Sequence, residues 1–131
     1  TTVLIDEFRA RGNPEAPVNA VLLGNSGEEL IVPAIAAGEF LDGACMVSAE
    51  RFQGALQILK QRRVVAADLE TAGHYGHIVS RLRKEKRLAE KSINDLWIAA
   101  TARRHGANLL TRNVSDFEGI PALEVVGYTA R

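Results

Sequence analysis

Short apolar runs recur along this chain with helical segments between them, and that alternation limits its possible folds more than any other feature. Leu30-Ile31-Val32, Val64-Val65-Ala66-Ala67, Asn108-Leu109-Leu110-Thr111 and Leu123-Glu124-Val125-Val126 read as strands. Strands separated by helices pair in parallel through right-handed crossovers. The expected fold is therefore α/β, a three-layer α/β/α sandwich around a central, mainly parallel sheet. At 131 residues the chain is sized for a single domain, 1–131.

The helical segments carry recognisable signals. Val3–Ala10 suits a short helix, Gly12-Asn13-Pro14 interrupts it, and a second helix fits Pro14 to Leu23 before the turn Gly24–Gly27. After Pro33, Ile35, Phe40 and Leu41 fall near helical spacing, and Ser48 can cap a further helix to Gln61. Asp68 opens a long amphipathic helix with Ile78 and Leu82 four residues apart. Ser92 caps the next, whose apolar face holds Ile93, Leu96, Trp97 and Ala100 and which Gly106 stops.

Composition excludes several classes. With 47% hydrophobic and 24% charged residues, the chain is neither disordered nor a disulfide scaffold. A lone cysteine, Cys45, closes no internal disulfide, which suits the reducing cytoplasm, and no apolar stretch reaches a membrane span's length. The zero net charge hides an asymmetry. Residues 1–60 carry four basic and eight acidic side chains, whereas 61–131 carry twelve and eight. Arg81, Arg83, Lys84, Lys86, Arg87 and Lys91 concentrate the basic excess, as a solvated helix end would or as a polyanion site would.

The chain has no GxGxxG, no P-loop, no GxSxG and no CxxC. His74 and His77 share a helix face but have no third ligand at suitable spacing, and Gly73 and Gly76 beside them suggest close packing. Parallel sheets gather ligands beyond the carboxyl ends of their strands, so polar residues there are the candidates for chemistry. Glu39 sits among small and apolar residues, where a carboxylate is costly unless paired, while Asp42 reads as solvated. Asp95 follows Ser92 by three, as a capping residue would, and lies at a helix start on the same edge. Thr111, Arg112, Asn113 and Asp116 follow the Leu109-Leu110 strand. Carboxylates converging on one edge make a hard oxygen site for Mg2+ or Mn2+, suited to phosphoryl chemistry.

Ile93-Asn94-Asp95-Leu96-Trp97-Ile98-Ala99-Ala100-Thr101-Ala102, then His105-Gly106-Ala107, then Leu110-Thr111-Arg112-Asn113-Val114-Ser115-Asp116-Phe117, resemble the PIN-domain nucleases, and among them the VapC-like toxins of bacterial toxin–antitoxin pairs. Val32-Pro33-Ala34-Ile35 with Glu39, Gly43 and Ala44 looks like that family's second acidic segment, and Thr1–Asp6 like the end of its first. The resemblance implies metal-dependent cleavage of RNA, an antitoxin partner and a homodimer. It makes Glu39 and Asp95 the second and third acids and metal ligands, Asn113 the position of a fourth acid in some members, Asp116 a further carboxylate ligand, and Thr111 an orienting hydroxyl. Arg81, Arg83, Lys84 and Arg112 would hold RNA phosphates.

The family's first acid falls directly before the position matching Thr1, so the chain is expected to lack it and the first strand, as a truncated sequence would. Asp6, on the expected first helix, is a poor substitute. A binding module that kept the fold without catalysis, and a housekeeping PIN nuclease without an antitoxin, are the alternatives. In the first, Val18–Leu23 and Phe52–Leu59 would face a partner rather than the core.

Overall fold

The computed structural model describes residues 2–5, 29–111 and 113–127. Among them five strands, β1 (Thr2–Ile5), β2 (Glu29–Pro33), β3 (Arg63–Val65), β4 (Asn108–Thr111) and β5 (Val125–Gly127), form one sheet in the order β3-β2-β1-β4-β5. Every pairing is parallel. The helices are α1 (Ala34–Val47), α2 (Ala49–Lys60), α3 (Leu69–Lys84) and α4 (Ile93–Arg104), with short 3-10 turns at Leu88–Glu90 and Val114–Phe117. This is the α/β architecture with a parallel sheet that the alternation of runs leads one to expect.

The amino-terminal segment corrects two expectations. Thr2–Ile5 is a strand where the expected helix over Val3–Ala10 would start, and it lies at the centre of the sheet, between β2 and β4; the rest of that expected helix, 6–10, lies outside the described residues. The first strand is therefore present in this chain. Four successive apolar or β-branched residues fit a strand flanked on both sides, and so short an apolar run carries no period that separates strand from helix. The expected helix over Pro14–Leu23, the turn at Gly24–Gly27 and Asp6 itself lie outside the described residues.

Smaller shifts occur elsewhere. β3 starts at Arg63 and ends at Val65, leaving Ala66 and Ala67 to the turn that enters α3, and β5 starts at Val125 rather than Leu123. Ile93, expected on the apolar face of α4, is 66% exposed, because α4 is buried from Asp95 onward on nearly every side. Gly73 and Gly76 face open space, not a close neighbour. Phe52 is half-buried while Ala55 and Leu59 are buried, as core packing of that helix requires.

The helix boundaries follow from their caps. Ser48 Oγ accepts the Arg51 N–H at 2.9 Å, and Asp68 accepts the Thr71 N–H at 2.9 Å while Thr71 Oγ1 accepts the Asp68 N–H at 3.2 Å, a reciprocal capping box. Gly106, with φ +59°, takes the left-handed conformation just past α4. The core joins Ile31 and Val32 of β2 and Leu109 of β4 to Phe40 of α1, Ile78 and Leu82 of α3, and Ile98 and Ala102 of α4. Tyr75 and Trp97 stack between α3 and α4, with ring centroids 4.1 Å apart.

Candidate active site

All five strands run the same way, so their carboxyl ends share one edge, and α1 leaves that edge directly from β2. Glu39 stands in the second turn of α1, half-buried, with Oε1 shielded from solvent. Asp95 is the third residue of α4 and only 6% exposed. Its backbone N–H donates to Ser92 Oγ at 3.1 Å, so capping and burial of the carboxylate coexist at one position. Asn94, the residue before Asp95, donates its Nδ2 to Glu39 Oε2 at 3.1 Å and so ties α1 to the first turn of α4.

Thr111 closes β4 and is fully buried; its Oγ1 accepts the Asn113 N–H at 3.1 Å. Asn113 is exposed and precedes the 3-10 turn without capping it through its side chain. Asp116 is half-buried in that turn, its N–H donating to the Asn113 carbonyl at 3.0 Å. Lys91 Nζ donates to the Ser115 carbonyl at 3.3 Å, which fixes the turn against the approach to α4. Arg112 lies outside the described residues. Asp42 is exposed, as expected.

Among the described residues no three His, Cys, Asp or Glu converge as a ligand group. The structure thus joins Glu39 with the Asn94-Asp95 turn but, among the described residues, does not gather Glu39, Asp95 and Asp116 into a three-carboxylate cluster. An oxygen-only pair still fits a hard cation, since Mg2+ keeps several waters and is commonly held through one or two carboxylates. His74 and His77 do not make such a site. They line, with Glu70 and Gly73, an open recess of about 170 Å3, and burial pushes the His74 imidazole toward its neutral form.

The basic run is divided by ion pairs. Arg81 pairs with Glu85 at 2.7 Å and Arg87 with Glu90 at 3.1 Å, whereas Arg83, Lys84 and Lys86 have no ion-pair partner among the described residues. These free cations end α3 and lead, through the Leu88–Glu90 turn, into the start of α4 that carries Asp95.

The signal that sequence reasoning missed is Asn94. It lies inside the motif beside Asp95, but its partner is 55 residues away and no local spacing joins them.

A parallel sheet with acids at its carboxyl edge is an arrangement that known proteins share. The PIN-domain family model matches residues 1–122, and the chain belongs to the PIN-domain family. It is 31% identical over 105 residues to Ribonuclease VapC4 of Mycobacterium tuberculosis, covering 77% of this chain and 78% of that protein. It is 38% identical over 63 residues to Ribonuclease VapC1 of Rickettsia felis, covering 48% and 46%. Among solved structures it resembles VapBC2 from Rickettsia felis bound to a promoter DNA fragment, with a TM-score of 0.81 at 21% identity over 98% of this chain and 99% of the other. VapBC-1 from nontypeable Haemophilus influenzae gives a TM-score of 0.74 at 24% identity, over 97% and 98%. At these identities the structural likeness speaks for the fold.

Proposed function

We propose that this chain is a metal-dependent endoribonuclease of the VapC kind, the toxin of a toxin–antitoxin pair acting on RNA in the cytoplasm. The observation that carries the reading is the junction of Glu39 with the Asn94-Asp95 turn at the carboxyl edge of a PIN fold. The relatives named ribonuclease and the VapBC complexes among its structural neighbours support the activity and the protein partner.

In this reading Glu39 and Asp95 hold Mg2+ or Mn2+, with Asp116 as an outer carboxylate. When bound, such a cation neutralises phosphate charge and acidifies the attacking water. The chain's own groups do the rest. The buried Thr111 hydroxyl holds the backbone of Asn113 at the strand end, and so sets where the Asn113–Asp116 loop starts. Arg83, Lys84, Arg112 and Lys86 draw in the RNA backbone, a sequence-independent attraction that weakens with salt. Arg81 contributes less, because Glu85 already holds it. In the same reading the chain acts as a homodimer and has an antitoxin as its protein partner.

The test is cleavage of RNA by the purified chain with Mg2+, Mn2+ or a chelator. The expected result is cutting with either ion, none with chelator, and a loss of at least about 100-fold in Asp95→Asn, the scale of removing a group that acts in the transition state. Asp95→Asn cutting at the parent rate would remove the mechanism. A parent chain that binds RNA and antitoxin but cuts nothing would favour the non-catalytic binding module.

A further inference from the structure

Asn94 is exposed and contributes nothing to the core, yet its side chain links the two helices that carry the acids. A carboxylate only accepts hydrogen bonds, so the nitrogen of the amide is the atom that faces Glu39. The choice of an amide is informative. A lysine or arginine at this place would hold Glu39 more strongly, through a charge-assisted bond, but would cancel the negative charge that a cation needs. A neutral donor fixes the carboxylate and leaves its charge.

The local sequence points the same way. Asparagine is a poorer helix former than alanine, so position 94 departs from what α4 alone would favour. Its neighbours Ser92 and Asp95 are already joined by the Ser92 Oγ cap, and α4 starts without help from Asn94.

We infer that Asn94 is a positioning residue of the acidic centre: its amide sets the rotamer of Glu39 and thereby the spacing between the Glu39 and Asp95 carboxylates. The inference rests on the metal-dependent reading above. Asn94 acts through Glu39, in the way that outer partners of metal ligands fix ligand geometry and tune affinity.

Mn2+ binding, measured by calorimetric titration, and RNA cleavage are compared for the parent, Asn94→Ala, the near-isosteric Asn94→Leu, Glu39→Gln and the double variant Glu39→Gln with Asn94→Ala. Thermal midpoints are recorded for all of them. Either change at Asn94 is expected to weaken Mn2+ binding about tenfold, the low end for such outer partners. Cleavage should fall to match at limiting Mn2+ and return toward the parent rate at high Mn2+. The thermal midpoint should stay level or rise, which a structural role would not allow. In the Glu39→Gln background the alanine change should add no further loss.

Asn94 variants that bind Mn2+ and cut RNA as the parent does would overturn the inference alone. An undiminished loss in the Glu39→Gln background would also overturn it. A parent that binds no Mn2+ and cuts no RNA would overturn the proposed function and this inference together.

Discussion

Asp68 and Asp95 both stand at helix starts, and their surroundings assign them different work. Asp68 is exposed at its helix end and accepts the Thr71 backbone N–H, the Thr71 hydroxyl and the Arg104 guanidinium. Those bonds, the Thr71 backbone first, hold its carboxyl well below the usual carboxylate range. A carboxylate depressed in the folded state adds stability above its unfolded pKa and loses it as pH falls toward the folded one. Asp68→Ala should therefore lower the urea midpoint at pH 7, with the gap to the parent closing below about pH 4. An equal gap at pH 7 and pH 3 would contradict this. Asp95, with the same sequence signature of a helix-start acid, is instead buried, next in the chain to Asn94, which bonds Glu39. Sequence spacing identifies both as capping positions. It says nothing of the burial of Asp95, or of the contact that its neighbour Asn94 makes with Glu39, 55 residues away.

Elements were legible where both ends carry chemistry. α4 has Ser92 before it and Gly106 after it, and its bounds follow the expectation; α3 has the Asp68 box. Ser92→Ala should destabilise the protein by about 1 kcal/mol and also lower cleavage, because the same turn orients Asp95. A variant as stable as the parent would mean that the cap is dispensable. β1 was not legible, since Val3-Leu4-Ile5 flows without punctuation into the polar Asp6-Glu7 and reads as the first turn of a helix. What makes it a strand is non-local: β2 and β4 flank it in parallel register, with Leu4 opposite Ile31 and Leu109. The exposure of Ile93 has a like origin, because α4 is covered from several directions and its face cannot be read from periodicity.

For the molecule as a whole, the parallel sheet and the helix that leaves it decide where chemistry is possible. Phe40 is buried one residue from Glu39, so the core and the acid share a turn of α1. Phe40→Ala should cost about 3–5 kcal/mol of stability, measured by urea unfolding, and so is no clean probe of the site. The free cations at the end of α3 give a cleaner one. Replacing Arg83 and Lys84 together by glutamine should reduce the salt slope of RNA binding by about 1.4, at about 0.7 per single-strand phosphate contact. An unchanged slope would return those residues to an ordinary solvated helix end.

The proposed function has Glu39 and Asp95 form one cation-dependent cutting centre. Its most direct measurement is the rate of cleavage of one RNA against Mn2+ concentration for the parent, Glu39→Gln and Asp95→Asn. The expected result is a saturable, Mn2+-dependent rate in the parent and a loss in both variants that no Mn2+ concentration fully restores. Cutting that persists without a divalent ion, or that either variant retains at the parent rate, would contradict it.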